Sequence, residues 1–377
     1  MGKLSRRGMS RCVSALNFAL ARYNTDGSLD PTFGSKGTVI TNLGSNSGTA
    51  AVAIQPDGKV VAAGYTTSED TGYDFALVRY NSDGMLDSHF GSGGKVITDL
   101  VGGNDWAMAI TIQPDGKIVA AGNTSGGDNH PDDLALVRYN PDGSLDSDFG
   151  EGGKVLIGMN RHGDARAVAV QSSGKILTAG TGNSNLKMFD FALLRFDKNG
   201  SLDPAFGSRG IVLTSLGNSD AGMAMALQSD GKVVVAGQTV IISGYTNFAL
   251  VRYDIDGSLD PTFGVGGAVI NNPSGDYAAR GIAIQSDSKI VATGIAIRGD
   301  NTASFVLARY NADGSLDSSF GASGKVITAI GRSDYASAAA IQVDGKIVVA
   351  GSAEDVENAP RGITNRPRRF ALVRYLP

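Results

Sequence analysis

The chain has 377 residues, 52 of them glycine, with 19% charged residues and a formal net charge of −4. That balance lacks the electrostatic footprint of a nucleic-acid binder, and no run of about 18 apolar residues is present to form a spanning helix. One cysteine, Cys12, excludes an intrachain disulfide and any multi-cysteine zinc site, and three histidines (His89, His130, His162) leave little for metal ligation or general-base chemistry.

In chain order, Lys3, Arg6, Arg7 and Arg11 precede a short apolar stretch from Cys12 to Ala21 that ends in Ala19-Leu20-Ala21. These are the parts of a secretory signal, yet Asn17 breaks a run that is already short. Residues 1–17 therefore read as a tail or a remnant signal-like segment, with no clear signal peptide, and 18–377 as one domain of repeats.

The motif Phe-Ala-Leu-x-Arg-Tyr starts at Phe18, Phe75, Phe248 and Phe370, with close variants at Leu134, Phe191 and Phe305. Successive starts lie 57, 59, 57, 57, 57 and 65 residues apart. After each of the first six comes a link such as Asp26-Gly-Ser-Leu-Asp30 followed by Phe33-Gly34, then a short apolar run such as Lys95–Thr98. A last block, typified by Ala109-Ile-Thr-Ile-Gln113-Pro-Asp-Gly-Lys117-Ile-Val, places Asp-Gly between two apolar runs, a tight-hairpin signal. Four short strands per unit of about 57 residues, separated by Gly, Asp and Asn, match a propeller blade. From the centre outward, strand A is the run ending in Gln (Ala51–Gln55), B is Lys59–Gly64, C is the Phe-Ala-Leu-x-Arg-Tyr run and D is Lys95–Thr98. The copies number six A, six B, seven C and six D, which predicts an all-β, six-bladed propeller with four antiparallel strands per blade.

The blocks Asp26-Gly-Ser-Leu-Asp30-Pro-Thr-Phe33-Gly34, Gln113-Pro-Asp-Gly-Lys117-Ile-Val and Phe248-Ala-Leu-Val-Arg-Tyr253 resemble the delta-60 repeat family, bacterial β-propeller repeats of unknown function. The resemblance spans about residues 18–377. It implies a propeller in a secreted or envelope-associated bacterial protein, and implies no established activity and no catalytic residues.

Within the chain, the A–B turns and C–D links are nearly uniform from copy to copy and read as structural. The D–A and B–C loops vary and lie on the opposite face, where a rigid scaffold carries specificity. Arg79, Arg138, Arg195, Arg252 and Arg309 recur eight residues before Asp87, Asp146, Asp203, Asp260 and Asp317, the spacing of a repeated ion pair desolvated between blades. The run Asp254-Ile-Asp256-Gly suggests a calcium loop, but other copies lose a carboxylate and a tight turn wants the same residues. His130, beside Asp128, Asp132 and Asp133, reads as a solvated loop and His89 as a surface residue. Five D–A loops carry Asp105, Asp164, Asp220, Asp276 and Asp334 near the expected channel mouth, with Gly48 at that place in the first copy. Loop capping is the plain reading of these acids, and a ring of carboxylates facing a ligand the functional one. Trp106, Tyr277, Tyr335, Arg161, His162, Arg280 and Arg332 cluster with them and complete the candidate ligand face.

The surplus C strand poses a closure problem. With nothing after Pro377, the last blade is expected to take Thr38–Thr41 as its D strand; its C strand is either Phe370–Tyr375, the favoured reading, or Phe18–Tyr23, which is already linked to Thr38–Thr41 through Asp26–Gly34, and in both cases an N-terminal strand closes the last blade. In the favoured case Phe18–Tyr23 would be an edge segment open to pairing in a strand-mediated dimer, the protein otherwise being a monomer. The functional expectation is a non-catalytic module that presents its variable loops to a protein or polysaccharide and needs no cofactor or metal. The alternative is a six-bladed lyase or lactonase acting at the channel mouth. Inner strands such as Ala167–Gln171 carry almost none of the His and Glu such enzymes use.

Overall fold

The computed structural model describes the whole chain except residues 1–15, 45, 69–71, 127–131, 160–161, 186–187, 242–244, 272–275, 298–301 and 355–367. Among the described residues all regular structure is strand, with no helix long and apolar enough to cross a membrane. β1 (Phe18–Ala21) and β2 (Thr38–Thr41) pair with each other alone. Five antiparallel four-stranded sheets follow, each in the order A-B-C-D. The first holds β3 (Ser47–Ile54), β4 (Val60–Ser68), β5 (Gly72–Tyr80) and β6 (Lys95–Thr98). The second holds β7 (Asn104–Ile112), β8 (Ile118–Ser125), β9 (Asp133–Tyr139) and β10 (Lys154–Gly158). The third comprises β11 (Asp164–Val170), β12 (Ile176–Asn185), β13 (Met188–Phe196) and β14 (Ile211–Thr214). The fourth comprises β15 (Ser219–Leu227), β16 (Val233–Val240), β17 (Thr246–Tyr253) and β18 (Ala268–Asn271). The fifth is β19 (Asp276–Ile284), β20 (Ile290–Ile297), β21 (Ala303–Tyr310) and β22 (Lys325–Thr328). The sixth blade is three-stranded: β23 (Asp334–Ile341), β24 (Ile347–Glu354) and β25 (Arg368–Tyr375). Counted by inner strands, the protein is a six-bladed β-propeller.

Strands B and C read as near-continuous apolar runs because both faces of a blade are covered. Val61, Ala63, Phe75 and Leu77 pack against Ala107, Ala120, Ala135 and Val137 of the second blade. The alternate residues Ala62, Ala76, Val78 and Tyr80 pack on the other side against Phe18 and Leu20 of β1. Each fully buried large side chain contributes roughly 1.5–3 kcal/mol.

Polar contacts repeat with the same period. Arg252 Nε donates to Asp260 at 2.6 Å, Lys232 Nζ reaches the same oxygen at 2.7 Å, and the guanidinium lies 4.6 Å from the centre of the Phe263 ring. Arg252 also donates to the Ala312 carbonyl in the next blade's turn. Arg79, Arg138 and Arg195 do the same toward Pro141, Lys198 and Ile255. The recurring eight-residue spacing is thus an ion pair within a blade that also ties it to its neighbour. A second tie runs backward: Tyr139 and Tyr253 donate at 2.9 Å to Thr98 and Thr214 on the preceding blade's outer strand.

Closure differs from the sequence expectation. β2 pairs with β1, Phe18 facing Thr41 and Ala21 facing Thr38, and among the described residues β25 has no D strand beside it. The reason is local. Arg22 pairs with Asp30 at 2.8 Å and lies 4.6 Å from the Phe33 ring, the same contacts that fasten C to D in every complete blade. Moving β2 to β25 would leave that unit without its outer strand. The β1–β2 pair instead stands as a half-blade between the sixth and first blades. Arg374 of β25 donates to the Thr25 carbonyl and Arg22 to the Ser82 carbonyl, the ordinary neighbour-to-neighbour bond on each side.

Three outcomes follow from this geometry. Arg252→Ala and Asp260→Ala should each lower stability by about 3 kcal/mol, because each leaves a buried charge unpaired. In a double-mutant cycle from denaturant melts the pair should be less than additive by about 1 kcal/mol or more. In the A–B turn Gly58 has φ 81°, and Ser288 stands at the matching place of the fifth blade with φ 65°. Relieving that left-handed serine with Ser288→Gly should stabilise by up to about 1 kcal/mol, read as a rise in Tm. Finally, burial tends to raise the Asp87 pKa, but Lys59, the His89 backbone N–H and Arg79 outweigh it and hold it at about 2. Asp260 is held lower still, burial again being outweighed, with Lys232 and Thr262 as the main donors. A depressed folded-state pKa gives stability that is complete above the unfolded value of about 4 and disappears as pH falls through the folded one. Asp105 and Asp220 act in the opposite sense, since burial raises their pKa and protonation favours the folded state. The repeated link carboxylates outnumber them, so Tm should fall steeply between about pH 4 and pH 2 in a thermal melt series.

Candidate functional site

Antiparallel order sends the A–B turns and C–D links to one end of the ring and the D–A and B–C loops to the other. At the second end four of the five expected carboxylates lie inside their own loops. Asp105 is fully buried, accepts the Leu100 N–H at 2.7 Å and is hydrogen-bonded by the Thr124 hydroxyl. Asp220 accepts Leu216 and Gly217 N–H groups at 2.6 and 3.2 Å, and Asp334 accepts those of Ile330 and Gly331 at 2.6 and 2.9 Å. Asp164 accepts the Thr181 N–H at 2.8 Å. In the first blade the matching position is Ser47, facing Thr66 as Asp105 faces Thr124, one residue before the Gly48 expected there. Burial, with the charges of Asp99 and Asp74 behind it, pushes the Asp105 pKa up, and one oxygen from each of these three acids lies within 4.8 Å of the others.

The other candidates separate into small groups. Trp106 is half-buried, its ring 5.5 Å from Tyr73, which in turn meets Tyr65 edge-on at 5.3 Å. His162 Nδ1 lies 3.1 Å from Asp132 and its ring 4.8 Å from Phe189. Tyr335 carries the Arg368 guanidinium 4.2 Å above its ring. Tyr277 is partly buried against the fourth and fifth blades, and Arg332 is exposed. Arg161, like His130 and Asp128, lies outside the described residues, and for Asp276 only the start of its strand is described.

The inner strands add an arrangement missing from the sequence reading. Each slips register once, between Thr49 and Ala51, Ala107 and Ala109, Ala165 and Ala167, Gly222 and Ala224, Ala279 and Gly281, and Ala336 and Ala338. The bulged residues are Ala50, Met108, Arg166, Met223, Arg280 and Ser337, each five before the Gln that ends strand A. A bulge re-aims a side chain, and here six of them ring the axis. Arg280 lies two blades from Arg166, and after burial the like charge of Arg166 is the next cause lowering the Arg280 pKa. Arg166 is neutralised by Asp164, with contacts at 2.8 and 2.7 Å. Among the described residues no carboxylate pairs with Arg280, which is exposed. The signal was present in the sequence as a constant spacing from Gln, but only the bulge gives that spacing a direction. A cation with this setting suits an anionic group, and the neighbouring aromatics offer flat apolar faces.

Several solved structures are similar at low identity. A protein of unknown function from Dyadobacter fermentans is 13% identical, with 87% of this chain and 94% of that one covered and a TM-score of 0.48. An α-L-arabinanase from Penicillium chrysogenum is 11% identical over 86% and 92% of the two chains, with a TM-score of 0.48. A gluconolactonase from Xanthomonas campestris is 12% identical over 78% and 87%, with a TM-score of 0.39. Likeness at this level carries no activity across. No curated protein matches the sequence. The repeats themselves match a family, the domain of unknown function (DUF5122) β-propeller, over residues 13–33, 55–90, 113–149, 171–206, 228–263, 285–320 and 342–377. With more than half of its length in those seven stretches, the chain belongs to the DUF5122 β-propeller repeat family.

Proposed function

We propose that the protein is a non-catalytic binding module whose loop end, around the channel mouth, takes an acidic polysaccharide. The observation that carries this reading is Arg280, an arginine at a bulge of an inner strand with no carboxylate partner among the described residues. Partly desolvated guanidinium is a strong and directional partner for a sugar carboxylate. Trp106, Tyr277 and Tyr335 occupy equivalent places on three inner strands, facing Asn123, Ala296 and Ser352 on their B strands. Aromatic rings so placed suit sugar faces. The loop carboxylates favour binding over hydrolysis, because Asp105, Asp164, Asp220 and Asp334 are committed to backbone, hydroxyl or, for Asp164, guanidinium donors within their own blades. A secreted or envelope location would put the module where such polymers occur.

The test compares polygalacturonate with a neutral glucan by isothermal titration. Polygalacturonate should bind and the glucan should not, and raised salt should weaken binding. Arg280→Gln should reduce affinity about tenfold or more, roughly 1.4 kcal/mol, with Tm unchanged. Equal affinity in the variant would reject the site, and release of shortened products would favour the lyase reading.

A further inference from the structure

The repeated Arg–Asp contact fastens each blade to the next at the end that carries the A–B turns. At the loop end, between the third and fourth blades, a different set of polar atoms is buried. Asp220 on β15, Thr239 on β16 and Asn247 on β17 stand directly opposite one another across the three strands. All three are fully buried. Their row continues the face on which Val233, Val235, Ala249 and Val251 pack against Leu177 and Ala179 of the third blade. Thr181, two residues beyond Ala179 on β12, extends the opposing face and is 3% exposed. The two backbones close up at this level, where a Cβ on Gly222 would lie 2.8 Å from the Gly180 carbonyl oxygen.

Four oxygens in this section have no hydrogen-bond partner: Asp220 Oδ1, Thr239 Oγ1, Asn247 Oδ1 and Thr181 Oγ1. Other atoms of the same residues are engaged. Asp220 Oδ2 accepts the Leu216 and Gly217 N–H groups, and the Thr181 N–H donates to Asp164. Asn247 Nδ2 donates to the Thr239 and Tyr245 carbonyls at 3.4 and 3.1 Å, which fixes the amide with its oxygen unspent. Burial raises the Asp220 pKa and the Asp190 charge adds to the rise. Thr239 is near enough to act against it, yet its hydroxyl is not in line for a hydrogen bond. The matching threonines of the first two blades are satisfied: Thr124 donates to Asp105, and Thr66 to the Leu43 carbonyl at 3.2 Å. Buried oxygens without a partner are destabilising, and several in one place call for a shared occupant.

We propose that these four oxygens hold a hard metal cation between the third and fourth blades. The donor set is a carboxylate, an amide oxygen and two hydroxyls, with no nitrogen or sulfur, which suits calcium or an alkali cation over zinc or copper. A cation meets all four at once because each can act as an acceptor, and it balances the Asp220 charge where water is excluded. Four protein oxygens leave the rest of a calcium shell of about six to eight to water. The cation does at the loop end what the arginine does at the turn end: it ties one blade to the next.

The test is a thermal melt of the full chain, treated with chelator and dialysed into choline chloride. Calcium, sodium and potassium chloride are then compared with choline chloride at equal ionic strength, which separates site binding from screening. At least one of the three metal cations should raise Tm by about 2 °C or more and titrate one to one by calorimetry. Asp220→Asn, which keeps an oxygen for the Leu216 and Gly217 N–H groups, should abolish the rise. Thr239→Val should weaken binding about tenfold, so a second variant reads the site if the first does not fold. Asp99→Asn should leave the rise intact, although Asp99 lies with Asp74 and Asp105 in a carboxylate cluster between the first two blades. Equal melting in all four salts would overturn the proposal, as would a rise that survives both Asp220→Asn and Thr239→Val. A rise lost in Asp99→Asn but kept in the other two would put the cation between the first two blades and overturn it as well.

Discussion

A guanidinium held between a carboxylate, an aromatic face and the neighbouring blade's carbonyl is the contact on which the ring depends. Arg79, Arg138, Arg195, Arg252 and Arg309 are each at most a tenth exposed, as are their aspartates. Charges this far from water destabilise unless every donor is matched. In Arg79, Arg138, Arg195 and Arg252 the planar fork of arginine matches three partners at once: Asp in its own link, Phe beneath the plane, and a carbonyl in the next turn. Lysine could not meet all three. It takes the other role instead, reaching the same carboxylate from strand B and joining the second strand to the link between the third and the fourth.

This node sits at one end of each blade and leaves the other end free to vary. The uniform A–B turns and C–D links carry the arginine, the lysine, the aspartate and the left-handed glycines. The opposite loops need only bring the chain from one blade to the next, and they do so with a buried Asp that accepts backbone N–H groups. That internal use of charge explains why acids recurring near the axis do not form an open carboxylate ring. What faces the channel is set by the bulged residue of each inner strand, and there the copies differ in chemistry: alanine, methionine, arginine and serine.

The half-blade follows from the same contacts. β1 and β2 stay together because Arg22, Asp30 and Phe33 reproduce the node, and they stay on the ring because Arg374 and Arg22 bond forward to the turns of their neighbours. Neighbour contacts of this kind need strand C and its link, and they do not need strands A and B. A position can therefore be held on the outside of the ring by strands C and D alone, which are the two strands described there.

Much of this was legible in one sequence because repetition acts as its own control. Four copies of Gln-x-Asp-Gly-Lys with two close variants, and four of Phe-Ala-Leu-x-Arg-Tyr with three, determine strand order, strand faces and the eight-residue Arg–Asp pairing, all of which are local or recur at fixed spacing. The closure was not legible. Phe18–Tyr23 and Phe370–Tyr375 are nearly the same string, so which of them Thr38–Thr41 joins depends on contacts between segments more than 300 residues apart, which no local pattern records. The same holds for the channel. A register slip of one residue makes Arg166 and Arg280 the bulged residues of their inner strands, while Asp105, Asp220 and Asp334, equally prominent in the sequence, fold back onto their own loops to satisfy buried N–H groups. Sequence determined the blade; only the assembled ring decided which residues of the inner strands bulge toward the axis and which strand β2 joins.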